Sequence, residues 1–213
     1  KPGYLQHLKK SCERNDSLLI FDEVITGFRV DAGGAQSLFG ITPHLATFAK
    51  AAAGGFPVSI LTGSKEIMSL IGTGTVMHGG TLNANVMSMA ATKSSMEHLS
   101  DRAIQTNQKL QDLGKRLMEG LEGINSRLEA GMLIQGPGSV FAVSFTDGRE
   151  ISDYRSHVEN SDPDKYALFV SEMMKKGIRI NSRGIWFLSE SHTDEDIEAT
   201  LSAASEVLQL IKL

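Results

Sequence analysis

The stretch LLIFDEVITGFRV, residues 18–30, sets four apolar residues directly against two acids, Asp22 and Glu23, with Gly27 close behind. A short apolar run closed by turn chemistry reads as a parallel strand covered on both faces, and in open α/β sheets ligands gather at the carboxyl ends of such strands. The two carboxylates are therefore expected at a ligand-facing edge, where they need a partner.

Upstream, residues 4–14 have a helical pattern and feed straight into a strand over 17–22, so the sequence opens inside a βαβ pattern. It begins with Lys1 and not with an initiator methionine, and the reading is of a fragment, or one piece of a larger chain. Downstream, residues 32–57 are rich in glycine and small side chains, as suits a chain passing close to a ligand. Residues 58–63 read as a second buried strand. SKEIMSLI follows as a short helix capped by Ser64, and then the loop GTGTVMHGGTLNAN.

Residues 86–128 are helical almost throughout, with a break expected near Ser100 and Asp101. Beyond the glycines at 131–138 the pattern changes. GSVFAVSFTD alternates as a half-exposed strand, and DPDKYALFVSEMMKKG is a helix closed by Gly177. IRINSRGIWFLS reads as two short strands around Gly184. The last segment is an amphipathic helix with Thr193 as its cap and acids in its first turn. The expected organisation is α/β: residues 1–100 are part of a large domain, 101–130 a linking helix, and 131–213 a small C-terminal α+β domain.

Of the 213 residues, 41% are hydrophobic and 22% charged, the proportions of an ordinary globular protein. The net charge is −4 with no basic block, which lacks the electrostatic footprint of a nucleic-acid binder. No apolar run approaches the ~20 residues that span a bilayer. The lone Cys12 cannot form an internal disulfide, and a cytoplasmic location is expected.

Three readings compete for the acids. They can be a plain strand-end cap. They can be the magnesium-binding strand end of a P-loop ATPase, although TGSKE at 62–66 lacks the adjacent Gly-Lys of a phosphate loop. The third reading comes from Lys50, set in TFAKAAAGGFP among alanines, glycines and a phenylalanine. A lysine removed from water favours its neutral form, and a neutral amine attacks carbonyls to form a Schiff base. If the carbonyl belongs to pyridoxal phosphate, the ring draws electrons while its nitrogen stays protonated, and a buried acid such as Asp22 keeps the proton there. The cofactor's phosphate needs donors, which HGGTLNAN supplies: close-approaching backbone at Gly79 and Gly80, the Thr81 hydroxyl and the start of a helix.

In these segments the chain resembles the class III pyridoxal-phosphate aminotransferases, and within them glutamate-1-semialdehyde 2,1-aminomutase and its relatives. FDEVITGFR, GGAQ, the lysine before a glycine-rich FP turn, GGTLNANVMSMAA and SHTDEDIEATL match in order and spacing. The resemblance spans the whole chain but only the C-terminal half of the family's usual length. It implies the aspartate-aminotransferase fold (fold type I), with Asp22 on the pyridine nitrogen, Val24 on the ring face, Lys50 in the Schiff base, and Gly80 and Thr81 on the phosphate. It also implies a homodimer with shared sites, because in the family the threonine loop serves the neighbouring subunit's cofactor. TLNANV stands where family members often have TLSGNP and resembles the version in β-amino-acid aminotransferases, while Gly184 stands where the aminomutase carries a glutamate. Aminomutase, β-amino-acid and ω-amine aminotransferase thus stay open, beside a catalytically dead dimeric scaffold.

Arg183 is a candidate for a substrate carboxylate, since a guanidinium fork matches that group. His78 is a candidate to line the pocket and Trp186 is expected in the core. The remaining histidines lack ligand spacing, so no metal is expected.

Overall fold

The computed structural model describes residues 2–211. It divides into two compact units, residues 1–107 and 108–213. In the first, helix α1 (Tyr4–Arg14) precedes strand β1 (Ile20–Asp22). Helix α2 (Gly34–Phe39) then leads to β2 (Leu45–Phe48), and a 3-10 turn, Lys50–Ala53, leads on to β3 (Ile60–Gly63). Helices α3 (Lys65–Gly72) and α4 (Val86–Asp101) follow. The sheet order is β1-β2-β3, with β1 and β2 parallel and β3 antiparallel to β2.

Strand β1 is shorter than the expected 17–22, and it is not covered on both faces. Leu19 is buried while Ile20 is 56% exposed. Ile20 and Asp22 alternate onto the same face of β1, and both are exposed; among the described strands β1 also pairs with β2 alone, which leaves its other edge unpaired. At its start, the Leu19 N–H donates to Nδ1 of His44 (2.7 Å), and the His44 N–H donates to the Leu19 carbonyl (2.9 Å), fixing the register with β2. The glycine-rich stretch holds more regular structure than its composition announces, namely α2, β2 and the 3-10 turn.

Ser64 caps α3 as expected, accepting from the Ile67 N–H at 3.4 Å. The long helical stretch is interrupted at Arg102, between α4 and α5 (Ala103–Leu128), next to the expected break. Most of α5 falls in the second unit, where Leu110, Leu113, Leu117, Leu121 and Ile124 recur at helical spacing and are all buried.

The second unit continues with β4 (Met132–Gln135), β5 (Val140–Phe145), α6 (Tyr154–Asn160), α7 (Pro163–Lys175), β6 (Ile185–Phe187) and α8 (Asp194–Ile211). Its sheet is antiparallel, in the order β4-β5-β6. Phe141, Val143 and Phe145 alternate inward along β5 and join the leucines of α5 with Phe169, Trp186, Val207 and Leu208 in one core. Asn125 grips the start of β4, accepting from the Met132 N–H (2.8 Å) and donating to its carbonyl (2.9 Å). Thr193 and Asp196 cap α8 reciprocally.

Of the two strands expected around Gly184 only the second forms. Residues 178–181 are irregular, and the Gly184 N–H closes a turn onto the Asn181 carbonyl (3.3 Å) before β6 joins β5. Gly184 takes φ 84°, and a Cβ there would lie 2.8 Å from the Val143 carbonyl oxygen. Trp186 is a core residue, as expected, with its Nε1 donating to the Tyr166 hydroxyl at 3.1 Å.

Candidate functional site

Asp22 is the last residue of β1 and pairs across the ladder with Thr47 of β2. Lys50 lies three residues beyond Thr47. Because the two strands are parallel neighbours, the acid and the amine leave the sheet at the same edge, the carboxyl ends where α/β sheets present their ligand sites. Neighbouring strands are about 4.8 Å apart, so the two residues start from neighbouring points on that edge.

The turn after β1 is packed onto the end of β2. The Glu23 N–H donates to the Thr47 carbonyl (2.8 Å), and the Gly27 N–H closes onto the Glu23 carbonyl (2.8 Å). Gly27 leaves room for the ring of Phe48, whose Cε1 would sit 2.9 Å from an added Cβ, and Phe28 packs beside that ring, tilted by 44° at 5.4 Å between centroids. Asp22 Oδ1 accepts from the Val24 N–H at 3.0 Å, so the carboxylate is oriented by the next-but-one residue, and Val24 itself is half-buried.

Lys50 adopts φ 48°, a left-handed conformation unusual for a residue with a side chain. Strain of this kind persists where the surroundings over-determine it and clusters at functional sites. Here the turn is held by Ala52 and Ala53, which are 0% and 1% exposed, and α4 packs against it. The alanines take the buried positions and the Lys50 side chain is exposed. The dry setting expected for this lysine is therefore not found in the first unit, and Asp22, expected to be buried, is also exposed.

The acid that is buried is Glu23, at 1% exposure. Its carboxylate accepts from the Thr26 hydroxyl and from the Ala35 and Gln36 N–H groups of α2 at 2.8 Å each. Side chains alternate along a strand, so of two adjacent acids at its end only one can face a ligand and the other must turn inward. That alternation is the sequence signal for Glu23. Further along the same segment, burial pushes the Arg29 guanidinium below its ordinary value.

His78, Gly80 and Thr81 lie on the connection between α3 and α4, which is exposed throughout residues 72–87. The Asn83 N–H donates to the Gly80 carbonyl at 3.0 Å, and Asn85 caps α4 by accepting from the Ser88 N–H at 3.2 Å. Arg183 belongs to the second unit. It is exposed, and its N–H donates to Asn181 Oδ1 at 2.7 Å. Among the described residues, no group of three or more His, Cys, Asp or Glu side chains is placed to hold a metal ion, and no helix is long and apolar enough to cross a membrane.

A mixed α/β unit presenting an acid and a lysine at the ends of adjacent parallel strands has the layout of an α/β enzyme. The family model for class-III aminotransferases matches residues 1–208, and the chain belongs to that family. It is 40% identical over 211 residues to glutamate-1-semialdehyde 2,1-aminomutase of Alkaliphilus oremlandii (strain OhILAs), covering 98% of this chain and 48% of that protein. To the protein of the same name in Methanothermobacter thermautotrophicus it is 38% identical, covering 99% and 50%. Among solved structures, an omega-transaminase from Sphaerobacter thermophilus superposes with a TM-score of 0.84 at 30% identity, over 100% of this chain and 49% of that one. The chain spans about half the length of the curated relatives it matches. None of these relatives is a nucleotide hydrolase, and nothing in them points to the P-loop reading.

Proposed function

We propose that the full-length polypeptide carrying this chain transfers amino groups with pyridoxal phosphate, as an aminotransferase or an aminomutase. The observation that carries the reading is the shared sheet edge of Asp22 and Lys50. The residues fit the cofactor: Lys50 offers an amine for its aldehyde, Asp22 a carboxylate for its pyridinium, Val24 an apolar surface for the ring face, and Gly80 and Thr81 donors for the phosphate. When bound, the cofactor supplies an aldehyde and an electron-accepting ring.

The chain's own residues have separate tasks. Asp22 would face the ring nitrogen and keep the proton there. Lys50 would offer its amine to the cofactor's aldehyde and, when its amine is free, would take the substrate's Cα proton and return it nearby, as general base and then acid. Arg183, on the second unit, offers a guanidinium fork that suits a substrate carboxylate, and His78, on the loop of Gly80 and Thr81, is the other proposed substrate contact.

Glutamate-1-semialdehyde is the first substrate to examine, on the identity to the two aminomutases. The β-amino-acid or ω-amine alternative draws on the omega-transaminase and on the asparagines in TLNANV. The exposed loop bearing Met77 (94% exposed) and Leu82 (75%) supports a homodimer in which Gly80 and Thr81 serve the partner copy's cofactor. The free thiol of Cys12 suits a reducing cytoplasm, and neither nucleic acid nor membrane is among the proposed partners.

The test is colour. The full-length polypeptide mixed with pyridoxal phosphate should gain a visible absorption band that Lys50→Ala abolishes, and each competent amine donor should bleach that band. A colourless wild-type protein sinks the reading.

A further inference from the structure

Every polar group of Glu23 is engaged, and together they tie its turn to β2 and to α2. Its N–H bonds the Thr47 carbonyl in β2, its carbonyl closes the turn at Gly27, and its buried carboxylate meets Thr26 and the first N–H groups of α2. The free N–H groups and dipole of a helix start favour that negative charge. The fit is close, because a Cβ on Gly34 (φ 77°) would lie 2.6 Å from Glu23 Oε2. On the chain, Glu23 sits between Asp22 and Val24, whose side chain and N–H bond each other across it at 3.0 Å.

We propose that Glu23 is a positioning residue that fixes the Asp22 carboxylate relative to Lys50, an inference that rests on the cofactor reading above. Asp22 is exposed, and its carboxylate accepts from the Val24 N–H of the turn that follows. Its orientation comes from the turn, and the turn is bolted by Glu23 to α2 on one side and to the strand leading into Lys50 on the other. Releasing the Glu23 carboxylate loosens the backbone on both sides of Asp22 while leaving Asp22, Val24 and Lys50 chemically intact.

Glu23→Gln keeps size and shape but presents an NH2 group to one of the N–H donors, so that pairing is lost. In the full-length protein with pyridoxal phosphate, this variant should lower cofactor affinity about tenfold, the equivalent of one charge-assisted hydrogen bond. It should also shift the pH titration of the visible band in the same direction as Asp22→Asn, by a smaller amount. Thr26→Val, which removes one of the three donors, should shift it less again. A Glu23→Gln protein that melts lower yet binds and titrates as wild type overturns the proposal by reducing Glu23 to a structural role. If Glu23→Gln does not fold, a folded Thr26→Val protein with the wild-type titration overturns it equally. A wild-type protein with no visible band overturns the cofactor reading itself, and is distinguished from the other two outcomes by the missing colour.

Discussion

Tyr166 carries the polar traffic in the core of the second unit. Its hydroxyl accepts from Trp186 Nε1 at 3.1 Å and donates to the Asn181 carbonyl at 2.9 Å, tying the irregular segment before Gly184 to α7 and β6. Tyr166→Phe leaves the buried indole N–H without an acceptor and should cost about 1–3 kcal/mol in denaturant unfolding. Burial pushes the Tyr166 phenol above its ordinary value, and the hydrogen bond from Trp186 opposes this in part. Above pH ~10 the unfolded phenol ionises while the folded one keeps its proton. The folded state then holds more protons, so stability is complete below that pH and falls as pH rises through the folded value. The Phe variant should lose that part of the alkaline slope, as unfolding curves between pH 8 and 11 would reveal.

At the scale of elements, two glycines of α5 make opposite predictions. A Cβ on Gly114 would collide with the backbone of Gly138, lying 2.8 Å from its Cα, and backbone cannot swing aside. A Cβ on Gly123 meets nothing within 4 Å. Gly114→Ala should therefore destabilise by about 1–3 kcal/mol through overpacking. Gly123→Ala should stabilise by about 0.5–1 kcal/mol, because alanine loses less backbone freedom in a helix interior. Thermal melts of both variants check the pair, and equal shifts would contradict the packing assigned to α5. Elements whose forces are local were legible in the sequence: α1, α3 with its Ser64 cap, the break before α5, the alternation of β5 and the Thr193 cap. Elements held by distant partners were not. Strand β2 is set by its registers with β1 and β3, and α2 by the Glu23 carboxylate twelve and thirteen positions earlier. The candidate site followed the same division. Asp22 and Lys50 were proposed from their sequence neighbours, whereas their exposure is set by the fold, and the burial of Glu23 depends on a loop that closes back onto it.

At the scale of the whole molecule, the two units differ in how far they bury themselves. The second closes a core around Phe141, Phe145, Phe169, Trp186 and the leucines of α5. The buried apolar side chains of the first are Leu19, Val30, Ile41, Ala46, Phe48, Ala52 and Ala53, three of them alanines. It leaves Leu18 54%, Ile20 56%, Val86 79% and Met87 64% exposed. An unpaired strand edge beside apolar surface of that extent is a docking or aggregation surface and not a stable exterior. Hydrophobic stabilisation scales with the apolar area removed from water, so the second unit has the larger driving force for about the same number of residues. Residues 108–211 produced alone should therefore unfold in one cooperative transition and leave the dye ANS dark. Residues 2–107 should light ANS and melt without a sharp transition. Dark ANS with residues 2–107, or bright ANS with residues 108–211, would contradict the unequal burial, and the same dye added to a full-length relative of twice the length tests whether the rest of such a chain covers the open face of β1.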